Sequence, residues 1–252
     1  MRSHRRVAIA LAGLLACVAA LARADMVLVG VAVNFSAPMK LIAAEFEKDS
    51  GHRAHLAFGA TGGLYAQIKN GAPFQVLLAA DDLTPSKLVQ EGLAVAASQF
   101  TYATGGLALW SARPGFVDGR ADVLWTPAFA KLALANPKTA PYGRAAVQTL
   151  GKLGLLAALE PRFVQGESIA QAFQFVTSGN AEVGFVALSQ VWQDGALTGG
   201  SAWLVPAELH QPIRQDAVLL ATARNHVAAL ALLQYLKTDK ARAIMRRFGY
   251  RH

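Results

Sequence analysis

Four turns of this chain place hydrogen-bond donors where a helix begins. Val33-Asn34, Ala60-Thr61 and Tyr142-Gly143 each lie where a strand or loop enters a helix, and Glu167-Ser168-Ile169 opens a fourth helix in the same way. The first turn of a helix leaves backbone N–H groups without partners and carries about half a unit of positive charge. Several such ends meeting at one point make an anion site that needs no lysine or arginine. Asn34 and Thr61 add side-chain donors, and the glycines around Thr61 allow close approach of the backbone. Five or six donors at about 1.5–3 kcal/mol each would offset the usual binding costs and give micromolar affinity, about −8 kcal/mol. Helix N-termini follow strands in every α/β protein and most bind nothing, so the turns by themselves leave the ligand open.

Other residue types suggest rival chemistries. Gly166-Glu167-Ser168-Ile169-Ala170 nearly spells the G-x-S-x-G elbow of a serine hydrolase, with Asp194 and His226 downstream in the usual order. Its last residue is Ala, and no strongly apolar strand precedes Ser168, which is better read as a helix cap. His52 and His55 are three apart on an expected strand, point to opposite faces and read as exposed edge histidines rather than a metal pair. Asp81-Asp82 precede a Thr84-Pro85 helix start, where acids suit the helix dipole better than a cation site. Trp110, Trp125, Trp192 and Trp203 could line a cleft, although scattered tryptophans more often pack a core. Gly59-Ala60-Thr61-Gly62-Gly63 lacks the Gly-Lys-Ser/Thr of a nucleotide P-loop.

The elements that must hold these turns alternate. Residues 25–33 (DMVLVGVAV), 53–58 and 74–80 read as strands, with helices after Ser36-Ala37-Pro38, from Leu64 to Asn70 and from Thr84-Pro85 to Gly92. Ser36 is the expected cap of the first helix and Gly51 its end. The pattern restarts with strands at 106–111, 131–135, 181–188 and 215–220, and helices at 142–150, 167–178, 225–236 and 239–248. Strand–helix repeats of this size build mainly parallel sheets flanked by helices. The expected architecture is α/β with two lobes and a ligand cleft between them, beyond the carboxyl ends of the strands.

Composition narrows the function further. The 252 residues are 54% apolar and 16% charged, with 22 Gly and a single Cys, which excludes a disordered, collagenous or disulfide-stapled chain. Residues 1–24 read as a secretory signal: Arg2, Arg5 and Arg6, then an apolar run over 7–21, then Ala22-Arg23-Ala24. The run is short for a membrane span of about 20 residues. Lipid attachment at Cys17 is a minor alternative, because Leu14-Leu15-Ala16-Cys17 loosely follows a lipobox. Cleavage at Ala24 removes four arginines and no acid, so a formal +8 falls to 20 basic against 16 acidic residues, or +4. No basic stretch is interleaved with aromatics, which argues against nucleic acid. The exported chain then has no Cys and would fold in the periplasm on its core alone.

The stretches AVNFSAPMKLIAAEFEKDSGH (32–52), FGATGGLYAQIKNGAPFQVLLAADDLTPSKL (58–88), ANPKTAPYGRAA (135–146), ESIAQAFQFVTSGNAEVGFVAL (167–188) and the terminal FGY (248–250) add a resemblance. Together they resemble the periplasmic molybdate-binding components of bacterial ABC importers, in order and over essentially the whole exported chain. The resemblance implies a type II periplasmic binding protein fold: lobe I from 25–103 and 216–252, lobe II from 104–215, enclosing a tetrahedral oxyanion. By motif position it implies that Val33, Asn34, Thr61, Tyr142 and Ile169 bind the oxyanion, with Tyr142 and Ile169 giving backbone N–H groups. Val33 stands where many members have Ser or Thr, and Ala187 where some have a Tyr, which removes hydroxyl donors at about 1 kcal/mol each. The implied ligand is molybdate or tungstate, with sulfate or another oxyanion as the alternative. The implied partner is a membrane permease, the protein a monomer with neither cofactor nor catalytic activity.

Overall fold

The computed structural model describes residues 25–252, so the expected signal and Cys17 lie outside the described residues. The chain opens with β1 (Met26–Ala32), a 3-10 turn (Val33–Phe35), α1 (Ser36–Ser50), β2 (Arg53–Gly59), α2 (Thr61–Lys69), β3 (Val76–Leu78) and α3 (Leu83–Gln90). It continues through β4 (Phe100–Gly105), β5 (Leu107–Ser111), β6 (Leu132–Ala135), α4 (Pro141–Lys152), α5 (Leu156–Leu159), β7 (Phe163–Gly166), α6 (Ile169–Thr177) and β8 (Val183–Ala187). A small hairpin, β9 (Trp192–Gln193) and β10 (Ala196–Leu197), precedes β11 (Ser201–Leu204), β12 (Ile213–Leu219), α7 (Val227–Tyr235) and α8 (Asp239–Arg247).

Two five-stranded sheets result, with orders β2-β1-β3-β12-β4 and β11-β5-β8-β6-β7. In the first, β12 is antiparallel to β3 and β4; in the second, β5 is antiparallel to β8 and β11; the remaining neighbours are parallel. Both sheets are therefore mixed, with four strands in one direction and one reversed. The reversed strands flank the passages between sheets. β5 follows β4 across Gly106, and β12 returns after β11. Each sheet with its helices forms one lobe of a two-lobed α/β fold.

The cores follow from the apolar patterning. Met39, Ile42 and Phe46 recur along one face of α1 and are fully buried against Val27, Val29 and Val31 of β1. β5, β6 and β8 are buried along their whole length, as strands covered on both faces must be. Burying each such Leu, Val or Phe side chain contributes about 1.5–3 kcal/mol. α1 ends where Gly51 adopts φ 74°, a left-handed conformation that favours glycine.

Some local expectations need correction. Ser36 does not cap α1 through its side chain: it is the first residue of the helix, which runs straight on from the turn at Val33–Phe35. α2 starts at Thr61 rather than Leu64, because the Leu64 N–H already donates to Ala60 O at 2.9 Å and draws both glycines into the first turn. β4, β7 and β11 are additional strands, short and half-polar, with little alternating pattern to mark them.

Candidate functional site

Strand register brings the four donor turns together. Ala32 pairs with Gly59 and Val31 with Leu78, so Val33-Asn34, Ala60-Thr61 and Ala79-Ala80 emerge side by side from the first sheet. Ala135 pairs with Gly166 in the second, which sets the chain entering α4 beside the chain entering α6. Val33, Asn34, Thr61, Tyr142 and Ile169 all line one small cavity, together with Ala32, Gly59, Ala60, Ala80, Ala140 and Pro141.

Each turn is left with donors for a definite reason. In α4, Pro141 has no N–H, and the Gly143 and Arg144 amides donate to Ala140 O at 3.0 and 3.2 Å. Tyr142 is thus the first-turn amide that remains. In α6, Ser168 caps the helix by accepting from Gln171 N at 3.3 Å, and Ala172 N reaches Ser168 O, leaving the Ile169 amide at the cavity. The cap reading of Ser168 therefore holds. In α2, the Thr61 side chain is buried and its Oγ1 accepts from Ala80 N at 3.0 Å, so its proton remains to donate. Val33 supplies no hydroxyl and has only its amide to offer. Among the described residues lining the cavity there is no Lys, Arg or His.

Asn34 departs from expectation. Its side-chain amide donates to Gln215 Oε1 at 3.0 Å and to Tyr250 Oη at 2.9 Å, with Tyr142 Oη at 3.5 Å. Both amide protons are thus committed to a buried network, and only the backbone N–H is left for a ligand. The network runs on: Gln215 Nε2 donates to Tyr142 Oη at 3.0 Å, and Ser189 Oγ donates to Asn34 O at 2.7 Å. Tyr250 Oη lies 3.0 Å from Asn34 O. Burial holds the Tyr102 and Tyr142 phenols well above their ordinary range and pushes Tyr250 up to about 12, so all three stay protonated and neutral within the network. The sequence pattern flags FGY but gives no role to Tyr250, Gln215 or Ser189, whose contacts are all long-range.

The rival groupings separate. Asp194 is bound by Arg247 at 2.6 Å, and His226 caps α7 and lies 3.5 Å from Asp25, so neither joins Ser168. His52 precedes β2 and is buried rather than exposed, accepting from Asp25 N at 3.2 Å beside the Phe46 ring; His55, within β2, is exposed. Asp81 accepts from Thr84 N at 2.9 Å at the start of α3, as the helix dipole favours. None of the four tryptophans lines the cavity, and Trp125 is 54% exposed. Among the described residues, no group of three or more His, Cys, Asp or Glu could hold a metal ion. No helix among them is long and apolar enough to cross a membrane.

Residues 27–251 match the family model of the bacterial extracellular solute-binding proteins. The chain is 60% identical over 249 residues to molybdate-binding protein ModA of Azotobacter vinelandii, covering 98% of each. It is 50% identical to molybdate-binding protein ModA of Rhodobacter capsulatus, over 91% of this chain and 89% of that protein. Among solved structures it superposes on the Azotobacter vinelandii periplasmic molybdate-binding protein with a TM-score of 0.87 at 41% identity, over 90% of this chain and 99% of that one.

Proposed function

The chain belongs to the bacterial extracellular solute-binding proteins, and from that premise we propose that it captures a tetrahedral oxyanion, molybdate or tungstate, for an ABC importer. The observation that carries this reading is the convergence of amides from the starts of four helical segments, two in each lobe, on one cavity without a cationic side chain. In this reading Val33, Asn34, Tyr142 and Ile169 donate through backbone N–H groups, and Thr61 also through its hydroxyl. Names of relatives at 50–60% identity support the choice of molybdate.

Selectivity follows from a site built of donors. A fully ionised dianion offers acceptors at every corner, whereas hydrogen phosphate brings a proton that such a site leaves without an acceptor. Helix N-terminal charge and a water-excluding closure favour the dianion further. Molybdenum enters as cargo in oxyanion form and not as a cofactor, and the protein performs no reaction. The lobes divide at about 25–103 with 216–252 and at 104–215, with the boundary residues 104–105 and 213–215 running in β4 and β12 of the first sheet and so moving with the first lobe. The protein works as a monomer in the periplasm, after removal of residues 1–24, and delivers its anion to a membrane permease.

Calorimetry of the exported chain against molybdate, tungstate, sulfate and phosphate tests the reading. Submicromolar binding restricted to molybdate and tungstate is expected. Tighter binding of sulfate would move the assignment to that smaller anion, and no binding to any of the four would end it.

A further inference from the structure

Arg144 is the fourth residue of α4, in the positive end of the helix, where a cation is disfavoured. Its guanidinium points across the cleft, and Nη2 lies 2.6 Å from Asp81 Oδ2. The Asp81 side chain is 11% exposed and that of Arg144 38%, so the contact is partly shielded from water. Asp81 follows Ala80, whose amide fixes the Thr61 hydroxyl, while Arg144 sits two residues after Tyr142. Ala80 and Pro141 line both the anion cavity and the adjoining pocket that holds the pair. Nearby, the Gly62 N–H donates to Thr139 O at 3.1 Å, a backbone bond across the cleft in addition to those of the Asn34 network. A Cβ at Gly62 would lie 3.0 Å from that oxygen and 3.2 Å from Thr139 Cα, so glycine allows the close approach. The other ion pair at this pocket, Arg214–Asp82 at 3.2 Å, joins two parts of the first sheet's own lobe and cannot hold the lobes together.

We propose that Arg144 is a positioning residue: through Asp81 it latches the lobes in the closed form and sets how long the anion stays bound, without touching the anion. The inference rests on the anion-binding reading above. The pair also occupies a cation close to the cavity, which keeps the site a donor-only one. A charge-assisted bond of this length is strong enough to bias a two-state closure, because it forms only when the lobes meet.

The test compares wild type with Arg144→Gln, Arg144→Lys and Arg214→Gln. Asp81 is unsuited to substitution because it also accepts from Thr84 N at 2.9 Å at the start of α3. Molybdate affinity, release rate and melting temperature with and without molybdate are measured. Arg144→Gln is expected to release molybdate about tenfold faster, with the loss lying in the off-rate and the melting temperature unchanged when no anion is present. Arg144→Lys should recover most of the difference, and Arg214→Gln should match wild type. Gly62→Ala, which wedges the Gly62–Thr139 backbone bond, should also speed release. Wild-type binding with unchanged release from Arg144→Gln overturns the latch alone, as does an equal fall in its melting temperature without anion. A wild type that binds neither molybdate nor tungstate overturns the functional reading and the latch with it.

Discussion

Thr61 Oγ1 accepts a hydrogen bond from the Ala80 N–H at 3.0 Å, and that acceptance orients the hydroxyl proton away from Ala80. Both residues line the cavity, so under the proposed function the proton is free to meet an anion there. Thr61→Ala is expected to weaken molybdate binding about tenfold or more, since a hydrogen bond to a charged group contributes about 1.5–3 kcal/mol. Thr61→Ser keeps the same hydroxyl and should bind nearly as wild type. Calorimetry of the two variants decides, and equal affinity for Thr61→Ala would remove Thr61 from the site.

Asn34 is expected to act on stability more than on contact with the anion. Asn34→Leu removes one donor each from the buried Gln215 Oε1, which keeps the Tyr102 hydroxyl at 2.9 Å, and from the buried Tyr250 Oη. The expected cost is about 1–3 kcal/mol in urea denaturation without any ligand. A variant as stable as wild type would show that the network contributes nothing to the fold.

Tyr250 gives a pH window with a definite sign. Its phenol titrates near 10 when unfolded and is pushed up to about 12 by burial in the folded protein. Folding thus favours the neutral form. The stabilisation is complete below about pH 10 and is lost as pH rises through about 12. Melting temperature should fall steeply across that window, and Tyr250→Phe should flatten the part of the fall that Tyr250 causes.

Gly105 marks the crossing from the first sheet to the second. A Cβ there would overlap Tyr142 Oη and lie 2.7 Å from Gln215 Nε2. Gly105→Ala should cost about 1–3 kcal/mol by overpacking and displace Tyr142, weakening anion binding as well. Thermal melting and calorimetry should both change; a variant altered in neither would show that the crossing tolerates the methyl.

Thr139 offers the opposite case. Its Oγ1 is buried without a hydrogen-bond partner among the described residues. Replacing the hydroxyl by a methyl removes a group already desolvated for no return, so Thr139→Val should leave stability equal or slightly raised. A clear loss in melting temperature would mean that the hydroxyl has a partner in solution.

How much of this was legible in the residues differs from one group to the next. The start of α4 was readable to within one residue: the pattern puts it at Tyr142, and it begins at Pro141, whose missing N–H leaves the next amide free by local covalent geometry. Ser168 as a cap and Gly51 as a terminator were readable for the same reason, because each acts within a few residues of itself. The start of α2 was read three residues late, since Gly62 and Gly63 look like a loop until Leu64 bonds back to Ala60. Asn34 was read as a donor to the ligand, and the folded chain commits its side chain elsewhere. Its partners lie 181 and 216 residues further along the chain, on β12 and in the terminal FGY. Local sequence determined which amides and hydroxyls a helix start would expose. Only the packing of the crossing strands and the C-terminal tail decided which of those groups were already satisfied, because a buried hydrogen bond is settled by whichever partner comes within 3 Å.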